Sequence, residues 1–247
     1  MAANPAGTSF ADLHVHSSAS FDSLSRPADL VRAAVARGLT HLAITDHERL
    51  DGAFRARDLA PPELRVIVGE EVRTAGGDII GLYLERPVPA GLSVAEAVAA
   101  IREQGGLVGL PHPFDRFRSS GGSRIGSAEE ALAELAARVD FVEAHNGRAI
   151  GGGNVRAAAF AVQQGLPGVA ASDAHTVQEL GLAYTVLPGD PMSASEMRDA
   201  LAGARLVLGR ASFYVRGWTP FAKLVQRMRG NGRPVVARGA GRERAPS

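Results

Sequence analysis

Six of the seven histidines, His14, His16, His47, His112, His145 and His175, stand at or just past the end of a short apolar run. The runs that carry them, Phe10–Val15, Leu39–Ile44, Leu107–Leu110, Val139–Ala144 and Pro167–Ala171, read as buried strands, as does Leu64–Val68, which ends in Gly69-Glu70-Glu71. Helical patterns fall between them, at Pro27–Arg37, Gly52–Leu59, Val94–Glu103, Ala128–Ala137 and Asn154–Gln164, and a hairpin is read over Val66–Leu84. Strand–helix alternation predicts a parallel sheet with helical crossovers, and about seven strands fit a barrel better than an open sheet. In such a barrel all strand C-termini face one rim, where active sites are built. Residues about 160 positions apart are therefore expected to converge there. Only His41 falls inside a run, and it reads as structural.

The residue types on that rim suit a metal. Side chains at i and i+2 of a strand point to one side, so His14 and His16 leave the first strand together. Asp22, Asp46, Glu71 and Asp173 stand in positions like those of the histidines. Imidazoles with carboxylates suit Mn, Fe or Zn. The chain has no cysteine, which excludes disulfides, thiolate zinc sites and a cysteine nucleophile. With 27 basic and 26 acidic residues, the charge balance makes no whole-molecule case for nucleic acid or a membrane surface. The start, MAANPAGTS, lacks a basic region and a long apolar run, so no signal peptide is expected and a cytoplasmic location is the default. No GxGxxG or Walker loop is present.

The segments DLHVHSSASFD, ITDH, a Gly-x-Glu after the third strand, an isolated HP and SDAH together resemble the signature of the PHP superfamily, named for polymerase and histidinol phosphatase, over about residues 10–187. The resemblance implies a distorted (β/α)7 barrel with two or three divalent ions on its C-terminal rim. It implies metal ligation by His14, His16, Asp22, His47, Glu71, His112, His145, Asp173 and His175, with Glu71 rather than Glu70 bridging two ions. His145 and Asn146 are alternatives for one ligand, because the match there can shift by one. Asp46 is expected to orient a ligand imidazole. The catalytic set is then Glu71, His175 and Asp46, with hydrolysis of a phosphate ester by a hydroxide that bridges the metals.

Arginine forks suit substrate phosphates, and Arg148 and Arg116 are the favoured candidates, ahead of Arg26 and Arg118. The expected substrate is a small phosphorylated molecule or nucleotide. An exonuclease-type phosphodiesterase is the alternative, with nucleic acid less favoured because no basic groove with interleaved aromatics is evident. A non-catalytic, metal-stabilised interaction module is the reading of another class. Residues 1–8 read as a flexible tail, 9–229 as a single catalytic domain, and 230–247 as a disordered Gly/Arg-rich tail that could touch anionic partners.

Overall fold

The computed structural model describes residues 7–114 and 128–232. Arg116, Arg118, most of the loop between His112 and the fourth helix, and most of both expected tails lie outside the described residues. The elements are β1 (Thr8–Val15), α1 (Pro27–Ala36), β2 (His41–Ile44), α2 (Asp51–Leu59), β3 (Arg65–Thr74), β4 (Gly77–Leu82), α3 (Val94–Glu103), β5 (Leu107–Leu110), α4 (Ala128–Ala136), β6 (Phe141–Asn146), α5 (Gly153–Gln164), β7 (Gly168–Ala171), β8 (Tyr184–Pro188), α6 (Ala194–Leu201), β9 (Arg205–Val207), α7 (Phe213–Arg216) and α8 (Trp218–Met228). Local chemistry explains several of their ends. Pro27 occupies the first turn of α1, where no amide hydrogen is needed. Ser93 and Glu96 form a reciprocal capping box on α3. Gly165 stops α5 in the left-handed conformation. Among the described residues no helix is long and apolar enough to cross a membrane.

The strands form one sheet in the order β7-β6-β5-β4-β3-β2-β1-β8-β9. Pairing is parallel for β1–β2, β2–β3, β5–β6 and β6–β7. It is antiparallel on both sides of β4, so the sheet is mixed rather than wholly parallel. The hairpin expected over Val66–Leu84 is what reverses β4, and β1, β2, β3, β5, β6 and β7 still point one way. The sheet curls until its ends nearly meet. Val15, at the end of β1, bridges Ala174, just past β7, and the His16 amide donates to the Ala174 carbonyl at 2.9 Å. Strand β8 fills the seam below, antiparallel to Thr8–Ala11. The result is a distorted, nearly closed α/β barrel. Thr8, expected in the tail, is the first residue of β1.

Alternation along the strands divides the apolar residues in two. Ala11, Leu13, Ala43, Ile67, Ile80, Leu82, Leu107, Phe141 and Val169 fill the barrel, plugged from below by Leu187, Met197 and Leu201. Leu42, Ile44, Val68, Val72, Val108 and Val142 face outward to the helices with Leu30, Ile101 and Leu135. Phe141 is fully buried and lies opposite Gly109 in the β5–β6 register. A Cβ on Gly109 would run into the Phe141 ring. Gly109→Ala is therefore expected to cost about 1–3 kcal/mol of stability through overpacking, measured by urea unfolding.

Candidate metal centre

Two β-bulges aim the side chains at the barrel mouth. Between β1 and β2, Asp12 pairs with Leu42 but Val15 pairs with Ile44, so β1 carries one extra residue. The extra residue lets Leu13 stay in the apolar interior while His14 also turns inward. Between β6 and β7, Glu143 pairs with Val169 but His145 pairs with Ala170. Here the extra residue sends His145 outward and turns Asn146 inward. His145 is thus a correction to the expected ligand set. Its Nε2 donates to the Gly209 carbonyl at 2.8 Å, and its Nδ1 accepts from Asn154 at 3.2 Å.

The other eight expected ligands converge. His14 Nε2 lies 3.0 Å from His16 Nε2, 3.3 Å from Glu71 and 3.7 Å from Asp173. His16 Nε2 lies 3.3 Å from Glu71 and 3.5 Å from Asp173. His112 Nε2 lies 3.3 Å from Glu71 Oε1, whereas Glu71 Oε2 faces His14, His16 and His47. Asp22 Oδ2 lies 3.3 Å from both His47 Nε2 and His175 Nε2. Four overlapping three-residue sets result, each able to hold an ion: His14-Glu71-His112, His14-His16-Asp173, His16-His47-Glu71 and His16-Asp22-His175. Glu71, with one oxygen toward His112 and the other toward His14, His16 and His47, spans adjacent sets. Glu70 points to the other face, where its Oε2 accepts from the Val88 amide. Two of the expected ligands sit in backbone conformations uncommon outside glycine, His112 at φ 25° and Asp173 at φ 53°, as strained functional positions often do.

Residues that the sequence analysis passed over set the imidazoles. Glu143 accepts from His14 Nδ1 at 2.6 Å, which leaves a lone pair on Nε2 facing the cluster. The other Glu143 oxygen accepts from the His112 amide and from Asn146. His175 Nδ1 donates to the Asp173 carbonyl at 2.9 Å, so its Nε2 is likewise free toward Asp22. Glu143 stands two residues before His145, and strand alternation could have flagged it as inward-facing. Asp46 does not orient an imidazole: its two oxygens accept from the Ser17 amide and hydroxyl, each at 2.6 Å, and so fix the turn after His16. A Cβ on Gly52 would strike this Asp46–Ser17 pair, so α2 can begin there only with glycine.

The donor set fits divalent ions. Five imidazoles and three carboxylates are all buried, and lone pairs face one another at 3.0–3.7 Å, an arrangement that needs a shared cation or proton. Burial alone would raise the Glu71 carboxyl, but His47, His112 and His14 hold it well below the usual range. Burial, reinforced by the charge of Arg148, pushes His175 down to about 3 and keeps it neutral. Burial opposes protonation of His16 too, yet Asp173, Glu71 and Asp22 raise it to about 9. Without an ion the carboxylates thus retain a proton on His16. Metal loading at pH 7 is expected to release protons and to tighten as pH rises toward 9, measured by calorimetry in buffers of different ionisation heat. His145→Ala is expected to keep the metal content of the native protein by elemental analysis, while His14→Ala loses it.

Residues 12–121 match the family model of the PHP domain, and residues 151–206 match the PHP-associated model. The chain is 36% identical over 126 residues to an uncharacterized protein of Methanocaldococcus jannaschii, covering 47% of this chain and 74% of that one. It is 29% identical over 134 residues to a 5'-3' exoribonuclease of Haemophilus influenzae, covering 49% of this chain and about half (48%) of that enzyme. The fold is similar to that of a two-domain protein of Bacteroides vulgatus containing a predicted PHP-like metal-dependent phosphoesterase, with a TM-score of 0.68 at 19% identity over 83% of this chain and 67% of that one. The two family models fall on the halves of the barrel that carry the converging ligands, and the chain belongs to the PHP superfamily.

Proposed function

We propose that the protein is a metal-dependent hydrolase of phosphate esters acting on a small phosphorylated substrate. The observation that carries this reading is the buried cluster of eight donors with Arg148 beside it. Divalent ions in such a cluster supply a hydrolytic nucleophile at neutral pH and neutralise the charge on phosphate oxygens. Mn, Fe and Zn all suit these donors. The residues supply the rest. Glu71 faces donors on both sides, which holds adjacent positions at a fixed spacing. His175, neutral by burial and by the nearby Arg148, contributes a lone pair rather than a proton.

Arg148 has the attributes of a phosphate ligand. It is buried, its Nη2 donates to Thr219 at 2.7 Å, and its Nε pairs with Glu179 at 3.4 Å. Its Nη1 has no hydrogen-bond partner among the described residues. A guanidinium held at two nitrogens with the third free is preorganised for an anionic oxygen. Arg26, by contrast, is exposed and paired with Asp29.

A second reading, phosphodiester cleavage in a nucleic acid strand, is favoured by the surface next to the site and by the likeness to the exoribonuclease. Tyr214 (94% exposed), Trp218 (49%) and Phe221 (48%) lie among Arg210, Lys223, Arg227 and Arg229, and residues 209–232 contain no acidic residue. Aromatics interleaved with cations suit stacked bases. These residues fall within the one stretch Arg210–Arg229, so the pattern was already present in the sequence. The complete donor set weighs against a purely structural role for the metals.

The test is phosphate release from monoesters, nucleotides and short oligonucleotides with added manganese. His14→Ala and Glu71→Ala are expected to abolish turnover. Arg148→Ala is expected to lower kcat/KM by about tenfold to a hundredfold, the loss of a charge-assisted hydrogen bond of about 1.5–3 kcal/mol. Preference for oligonucleotides would select the second reading. Absence of turnover on the whole panel, with metals bound, would overturn both.

A further inference from the structure

Helix α8 is attached in an unusual way. Its large apolar residues face solvent: Leu224 is 56% and Met228 72% exposed. The residues it buries are Ala222 and Gln226. A glutamine in a docking face costs stability unless its amide is hydrogen-bonded. Here the Nε2 of Gln226 donates toward the carbonyls of Ser18, Ser20 and Ser23, at 2.8, 3.0 and 2.7 Å. Three acceptors converging on one atom require the NH2 end of the amide, since its oxygen there would be repelled by all three.

Those carbonyls belong to the loop that carries Asp22. Ser20 Oγ donates to Asp22 Oδ1 at 2.7 Å, and Ser23 Oγ lies 2.9 Å from the carbonyls of both His16 and His175. Asp22 Oδ2 then faces His47 and His175. A second contact reinforces the first: Asn231, expected in the disordered tail, donates to the Ala19 carbonyl at 3.0 Å and accepts from Arg49. Around this loop the other donors come from strand ends, whose position the barrel fixes. Asp22 stands further out, six residues past His16, on a loop held both by Ser23, bonded to the His16 and His175 carbonyls, and by α8.

We propose that Gln226 is a positioning residue for the Asp22–His47–His175 part of the metal centre, and that α8 determines whether an ion is retained there. The inference rests on the reading of these three residues as metal ligands. Asp22 and His175 share a candidate set with His16, and the inference separates this part of the centre from the His14, Glu71, His112 and Asp173 donors, which α8 does not touch through Gln226.

The experiment counts metal per full-length chain after dialysis against limiting manganese, for the native protein, Gln226→Glu, Gln226→Ala, Asp22→Ala and Gln226→Glu with Asp22→Ala. Gln226→Glu keeps the shape but sets a carboxylate against three carbonyls; Gln226→Ala, uncharged, guards against unfolding by that charge. The expected result is an unchanged circular dichroism spectrum and loss of the same ion that Asp22→Ala loses, with its affinity weakened about tenfold or more. The double variant is expected to retain as much metal as Asp22→Ala alone. Native loading in both Gln226 variants, loss of all ions together, or a further loss in the double variant would each overturn the proposal. If Asp22→Ala itself loads like the native protein, the ligand assignment fails and the proposal falls with it. If the native protein loads nothing, it is the metal-dependent reading that has failed.

Discussion

Five imidazoles and three carboxylates share a buried volume at one end of this barrel, and each must find a counter-charge or a donor there. Burial of an unpaired charge costs several kcal/mol. The surrounding fold is arranged to meet that demand. Glu143 and the Asp173 carbonyl take the outer nitrogens of His14 and His175. Asp46 holds the turn after His16 through Ser17, and Asn146 bridges Glu143 and Asp173. What these contacts leave over is a set of lone pairs aimed at one another, which a divalent ion satisfies. The apolar half of the barrel, filled by Phe141, Leu13 and Ile67, keeps water away from the floor of the site.

Much of this was legible in the sequence because strand ends and ligand types coincide. The positions of His14, His16, His47, His112 and His175 after apolar runs were sufficient to place them on one rim. Asp22, Glu71 and Asp173 stand in like positions, and their roles as ligands followed from the resemblance. The mixed pairing of β4 was implicit in the hairpin around Gly76-Gly77, though a wholly parallel sheet was expected. What the sequence did not disclose depends on register. His145 and Asn146 differ by one position, and only the bulge in β6 decides which faces inward. Nothing in the local residue pattern marks that bulge.

Long-range hydrogen bonds were the other blind spot. Gln226 lies more than 200 positions from the serine loop it holds. A glutamine in an amphipathic helix gives no sign that it is buried. The same holds for Asn231, which was assigned to a tail on composition alone. Asp46 shows the opposite error: the habit of carboxylates to orient ligand imidazoles suggested that role, whereas its oxygens are both used by Ser17.

The bulges have a bearing on how such a centre can change. In a regular strand, altering the inward-facing donors takes substitution at each position. In β6, pairing Ala144 in line with its neighbours, with the bulge flattened and no residue removed, would restore the simple alternation, return His145 to the interior and send Asn146 out. The segment Glu143–Asn146 therefore contains two donor arrangements in one stretch of sequence, and the bulge chooses between them. A one-residue slip of pairing between β6 and β7, with no change of sequence in β6, is in this barrel a route to new ligand chemistry within the wall itself.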